Sequence, residues 1–88
     1  MSKKIAYTGN KGEKIRSDCF VTLELKDSGG KEINIQSKVD TMYGQSIKEL
    51  ADDILSFFKI DNAYLEIIDT GAITPVLAAR IEAAIKKL

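Results

Sequence analysis

The stretch 19-CFVTLELKDSGGKEINIQSKV-39 decides how this chain folds. Its first part alternates. Phe20, Thr22 and Glu24 fall on one side of an extended chain, and Val21, Leu23 and Leu25 fall on the other. The second set is purely apolar, so that side should face a core. Then comes 27-DSGGK-31, where two glycines offer the positive φ that turns between strands need. In 32-EINIQSKV-39 the alternation resumes, Ile33 and Ile35 against Asn34 and Gln36. Read locally, the stretch is a hairpin: two strands, antiparallel and paired with one another.

Downstream the period changes. Ile47, Leu50, Ala51, Ile54 and Phe58 recur at helical spacing, with Leu55 beside them, while Lys48, Glu49, Asp52 and Asp53 fill the other face. Asp40 or Thr41 is the expected N-cap, and the helix should end near Lys59, before 61-DN-62. Alternation returns in 63-AYLEIID-69, with Tyr64 and Leu65 starting opposite faces, and Gly71 breaks that strand. Thr74-Pro75 reads as an N-cap threonine followed by proline at the first helical position. A second apolar stripe follows, Leu77, Ile81, Ala84, Ile85 and Leu88, with Lys86 and Lys87 at the end of the helix, where its dipole favours cations. The fold class is α+β, ordered β-β-α-β-α, with room for a short extra strand around 4-KIAY-7. Two helices on one face of a small, mostly antiparallel sheet is the simplest packing. The strand after the first helix is placed to pair in parallel through a right-handed crossover.

The chain has 88 residues, which sets the expectation of one domain, 1–88, with a mobile N-terminal segment over about 1–17. Hydrophobic content of 44% with 30% charged residues argues for a globular protein over a disordered one. The formal net charge is zero, so no strong field draws the protein to nucleic acid or to an anionic membrane. MSKKIAYTGN has no apolar core of a signal peptide, and a lone cysteine forms no internal disulfide. Both point to a cytoplasmic setting. No stretch is apolar for long enough to span a bilayer as a helix.

The chemistry on offer is narrow. Histidine is absent, which removes the commonest general base and metal ligand. Asp52 and Asp53 are adjacent on a helix and diverge. Cys19 opens a strand and reads as a small buried filler; as a nucleophile it would have only Arg16 for support. The pattern 9-GNKG-12 matches the GxxG of KH domains, but that loop joins two helices and these flanks show no helical stripe. The segment 12-GEKIRSDCF-20 stays ambiguous from its residues alone. Lys3, Lys4, Lys11, Lys14 and Arg16 face a single Glu13, which makes either a solvated terminus or a small anion-receiving patch, and Ser17 is either a polar lead-in to the strand or a modification site.

One run sharpens that choice. 69-DTGAITPVLAARIEAAI-85 carries an Asp-x-Gly-Ala turn, Asp69, Gly71 and Ala72, and then Ala79, Arg80 and Glu82 on a helix. Upstream, Ser37, Val39, Tyr43, Gly44 and Ile47 follow a Ser-x-Val, aromatic-Gly pattern. Together these resemble the acyl carrier protein (gamma subunit) of citrate lyase and the acyl carrier subunit of malonate decarboxylase, over roughly residues 9–88. The resemblance implies a carrier without catalytic residues of its own. Such a carrier bears an acyl thioester on 2'-(5''-phosphoribosyl)-3'-dephospho-coenzyme A, joined to a serine by a phosphodiester. Its implied partners are the acyltransferase and the lyase or decarboxylase subunits of a complex, together with a prosthetic-group transferase. The family's attachment motif is Glu-Ser-(Ser or Gly)-Asp. Aligned on Asp18 without a gap, Arg16 stands at the serine position and Ile15 at the glutamate, and Ser17 lies one place later. Ser17 is the expected attachment residue, with Lys14 and Arg16 beside the phosphates of the arm. The alternative is an unmodified relative that serves as a protein-binding scaffold or regulatory subunit.

Overall fold

The computed structural model describes residues 4–11, 14, 18–37 and 44–88. The elements, in chain order, are β1 (Ile5–Gly9), β2 (Cys19–Leu25), β3 (Lys31–Ser37), α1 (Gly44–Phe57), β4 (Ala63–Asp69) and α2 (Thr74–Lys87). The extra strand expected around 4-KIAY-7 is therefore present, and it pairs antiparallel with β2 from Ile5 opposite Glu24 to Gly9 opposite Phe20.

The expected hairpin is not formed. The sheet order is β1-β2-β4-β3, so β4 lies between the two strands that the local pattern pairs with each other. β2 runs antiparallel to β4, Leu23 opposite Leu65, and β3 runs parallel to it, Ile33 opposite Leu65. The expected parallel pairing through the first helix is thus realised, and β4 is its second strand. The reason lies in β4 itself. Ala63, Leu65 and Ile67 are completely buried, and a strand with so apolar an inward face is best served by the middle of the sheet, paired on both edges. Strands flanking a third are roughly 10 Å apart, a span that Lys26–Gly30 can bridge. The bridge is anchored to the start of β4. Lys26 N–H donates to the Asn62 carbonyl (3.1 Å), Gly30 N–H to Asn62 Oδ1 (2.8 Å), and Ala63 N–H to the Gly30 carbonyl (3.1 Å). Gly29 and Gly30, at φ 98° and 77°, provide the arch rather than a tight turn.

Both helices cover one face of the sheet. That face carries Cys19, Val21 and Leu23 of β2 with Ala63, Leu65 and Ile67 of β4, all fully buried, and Ala6 of β1 beside them. From the helices come Ile47, Ala51 and Leu55 of α1 and Leu77, Ile81 and Ala84 of α2, as the stripes predict. Each large side chain among these contributes about 1.5–3 kcal/mol through removal from water. Leu25, Ile33, Ile35, Leu50, Ile54, Ile85 and Leu88 pack around this core and stay partly open.

The expected Asp40 or Thr41 cap of α1 lies outside the described residues. The far end closes as expected: Lys59 adopts a left-handed φ of 61°, and Ile60 N–H donates back to the Leu55 carbonyl at 2.9 Å. At α2 the cap moves by one residue. Ile73, not Thr74, is the N-cap, with an extended backbone (φ −80°, ψ 162°) and a carbonyl that accepts from Val76 and Leu77 N–H. Thr74 is already helical, and Pro75 still falls in the first turn, where a missing N–H costs nothing.

Candidate functional site

Three strand ends meet where β1 finishes, β2 begins and β4 finishes. Gly9 ends β1 at φ 92°, and a Cβ there would collide with the Cys19 carbonyl oxygen, so only glycine allows this closeness. Asn10 N–H then donates to that same carbonyl at 3.0 Å. The loop that leaves Gly9 leads into a strand, not from one helix to another, so the 9-GNKG-12 pattern lacks the setting a KH domain requires.

Asp18 is the centre of this end. Its Oδ1 accepts from Cys19 N–H (2.7 Å) and Arg80 Nε (3.1 Å), and its Oδ2 from an Arg80 guanidinium nitrogen (2.9 Å) and Asn10 Nδ2 (2.8 Å). The guanidinium meets the carboxylate as a two-pronged fork, the strongest geometry such a pair has. Its main chain is held as well: Thr70 donates to the Asp18 carbonyl through its N–H (3.0 Å) and its hydroxyl (2.8 Å). The Arg80 fork, then Asn10 and the Cys19 N–H, lower the Asp18 pKa from 3.8 to about 2 against a modest opposing effect of desolvation. Asp18 in turn raises the pKa of Arg80. Arg80 is also tied down at its backbone, where its carbonyl accepts the Thr8 hydroxyl at 2.7 Å.

Asp69, the neighbour of Cys19 across the ladder, shapes the turn into α2. Its Oδ1 accepts from Gly71 N–H (3.1 Å) and Ala72 N–H (2.9 Å). Gly71, at φ 95°, makes the reversal possible. The Asp-x-Gly-Ala run is therefore a side-chain-capped turn, which explains its residue types. Cys19 itself is completely buried. Burial, followed by the Asp18 and Asp69 carboxylates, pushes its thiol up to about 11, so it is the inert filler the sequence indicates.

Beside this turn lies a groove of about 600 Å³ between the first halves of α1 and α2. Ile47 and Leu50 of α1 line it together with Leu77 of α2 and Ala72 and Ile73 of the connection before it. Ile73 is 66% exposed.

Of the expected site residues, Lys14 is exposed in a turn. Arg16 and Ser17 lie outside the described residues, as do most of the residues of the expected mobile segment that follow Lys11. Asp18 lies next to Ser17 in the chain, and its anchoring was not visible in the sequence. Asp18 and Arg80 are both motif members, yet nothing local indicates that residues 62 positions apart form an ion pair. Among the described residues, no group of three acidic, histidine or cysteine side chains is placed to hold a metal, and no helix is long and apolar enough to cross a membrane.

Comparison with known proteins agrees with this arrangement. The family model described as malonate decarboxylase delta subunit (MdcD), an acyl carrier protein family, matches residues 8–88. A citrate lyase acyl carrier protein of Clostridium perfringens is 38% identical over 69 residues, 78% of this chain and 68% of the relative. One from Vibrio cholerae is 31% identical over 84 residues, 96% of this chain and 86% of the relative. Another, from Fusobacterium nucleatum, is 33% identical over 69 residues, 78% of this chain and 73% of the relative. This chain belongs to the acyl carrier protein family of malonate decarboxylase and citrate lyase.

Proposed function

We propose that this chain is the acyl carrier subunit of a citrate-lyase-like or malonate-decarboxylase-like complex in the cytoplasm. Ser17 carries 2'-(5''-phosphoribosyl)-3'-dephospho-coenzyme A through a phosphodiester, and the thiol of that arm holds the acyl group. A prosthetic-group transferase installs the arm, and acyltransferase and lyase or decarboxylase subunits act on the thioester. The group's contribution is a thiol on a long tether.

The anchoring of Asp18 is the observation that carries this reading. Attachment one residue upstream needs a base that does not swing, and Asp18 is fixed through its carbonyl by Thr70 and through its carboxylate by Arg80. The fork also pairs the carboxylate of Asp18, the residue next to Ser17 in the chain, so the negative phosphates do not meet it bare. Lys14 and Arg16 then offset their charge. The residues present fit the group in this respect. Its one thiol is buried with a raised pKa, and the work of the body is to hold the root of a tether that keeps the thioester at up to about millimolar effective concentration for each partner.

The test is intact mass and peptide mapping over residues 9–26 of protein purified from its own host. An adduct of coenzyme-A-like mass on Ser17, absent from Ser17→Ala, is the expected result. An adduct retained by Ser17→Ala refutes that residue. The second reading, an unmodified scaffold or regulatory subunit, is favoured by Arg16 at the family's serine position. An unmodified chain recovered with its partners, from cells with an active transferase, would establish it.

A further inference from the structure

We propose that the open edge of β3 is a contact between two copies of this chain, which pair β3 against β3, antiparallel, about a two-fold axis at Asn34 and so join their sheets into one. The inference stands apart from the carrier reading above and does not depend on it.

β3 ends the sheet order, and among the described residues β4 is the only strand beside it. The Gly30 carbonyl accepts from Ala63 N–H. By the alternation of a strand, Glu32, Asn34 and Gln36 then turn their main-chain groups to β4, while Lys31, Ile33 and Ile35 turn theirs to the open side. A regular strand of seven residues without proline offers those groups as a template for another strand. The opposite edge is guarded. On β1 the Lys87 ammonium donates to the Tyr7 carbonyl at 2.9 Å, and a lysine laid on an edge blocks added pairing. Lys31 of β3 is engaged elsewhere, with Asp52 (2.6 Å) and Ser56 Oγ (2.7 Å) of α1.

The sequence of β3 selects a second copy as the occupant. With Asn34 opposite Asn34, Ile33 falls opposite Ile35 on the inner face and Glu32 opposite Gln36 on the outer face. No like charges are opposed, and each cross-strand pair is of a kind that stabilises a sheet. The parity also fits. Ile33 and Ile35 are residues whose main-chain groups face outward, so each Ile33–Ile35 pair exchanges both hydrogen bonds. Asn34 takes the closer, non-bonded position on the axis. In one chain Ile33 and Ile35 stay partly open, although Leu65 and Ile67, opposite them on β4, are completely buried. The second β3 covers what β4 leaves open.

Charge agrees with this pairing. A trough of about 660 Å³ lies between β3 and α1, and Lys31, Lys48, Glu32, Glu49 and Asp52 are among its lining residues. A two-fold axis sets a surface against itself, and a charged surface matches itself only where both signs are present. α1 runs back along β3, with Asp52 at the level of Lys31 and Lys48 one turn earlier. An axis at Asn34 therefore brings Lys48 of each copy toward Asp52 of the other. The Asp18–Arg80 fork stands beyond β4, on the side of β2 and α2, and stays uncovered.

The experiment is sedimentation equilibrium of the full chain, alone and as two variants of opposite charge, Asn34→Asp and Asn34→Lys. Wild type should rise from one to two chain masses as its concentration is raised from about 1 μM to about 1 mM. Each variant sets like charges against one another on the axis, and its dimer should be weaker by at least about tenfold. Asn34 is exposed, so both variants should keep the circular dichroism spectrum of wild type. An equimolar mixture of the two should associate again, because aspartate then meets lysine. A wild type that is monomeric throughout, a dimer that both variants leave intact, or a mixture no more associated than its components would each overturn the proposal. A chain that is monomeric alone, and whose Asn34 variants lose a partner subunit, would assign the edge to that subunit and overturn the pairing of copies. Chain mass in solution is read whether or not an arm is attached, so this proposal and the carrier reading fail separately.

Discussion

Replacing Asp18 with asparagine keeps the size and one acceptor of the side chain and removes its charge. Oδ1 can still accept from Cys19 N–H. The amide nitrogen, however, would face two donors, the Arg80 guanidinium and Asn10 Nδ2, both within 3 Å of Oδ2 now. The carboxyl pKa is 3.8 ordinarily and about 2 here, which corresponds to about 2 kcal/mol of folding free energy. The guanidinium is 37% exposed, so solvent screening removes part of that, and about 1 kcal/mol is the expected loss at pH 7. In a chain of this size that lowers Tm by roughly 4–8 °C. In urea the midpoint should fall by about 1 M or less with the slope unchanged. The pH dependence is the sharper test. The folded pKa is the lower one, so the stabilisation is complete above the unfolded value of 3.8 and is lost as pH falls through about 2. The gap between wild type and Asp18→Asn should therefore be constant from pH 7 to pH 5 and should narrow between about pH 4 and pH 2. Equal stability at pH 7, or a gap undiminished in acid, would refute the claim that a charged fork anchors the start of β2 to α2.

Gly9→Ala forces a side chain into left-handed backbone and against the Cys19 carbonyl; a loss of about 2 kcal/mol or more in chemical denaturation is expected. Leu65→Ala, at the centre of the sheet, should cost about 2–5 kcal/mol by the same measurement. Cys19 should resist a thiol reagent in the native state at pH 7 and react at once in denaturant, because its thiol is buried and its pKa is raised to about 11. Thr8→Val removes the hydroxyl that holds the Arg80 carbonyl, and a loss of about 1 kcal/mol in thermal or urea unfolding measures that bond.

The sequence alone determined what depends on neighbours in the chain. The period-two runs located β2, β3 and β4; the inward residues of β2 and β4 from Cys19 to Leu23 and from Ala63 to Ile67 are buried, and Ile33 and Ile35 of β3 are partly buried. The period of the helices identified Ile47, Ala51 and Leu55, and Leu77, Ile81 and Ala84, before any packing was known. Membership in the family was legible from Asp69, Gly71, Ala72 and Arg80, since these residues follow the family's Asp-x-Gly-Ala turn and the helix after it. What only the tertiary structure decided is pairing. The same glycines at 29 and 30 serve a hairpin or an arch over a third strand, and the choice belongs to β4, which comes later in the chain and competes for the central place because Ala63, Leu65 and Ile67 on its inner face are completely buried. The candidate site shows the same limit. Asp18, Asn10, Thr70 and Arg80 are each an ordinary polar residue in its own segment. They become one anchored cluster only when the strand ends and α2 meet, and no local pattern records which acid a distant arginine will find.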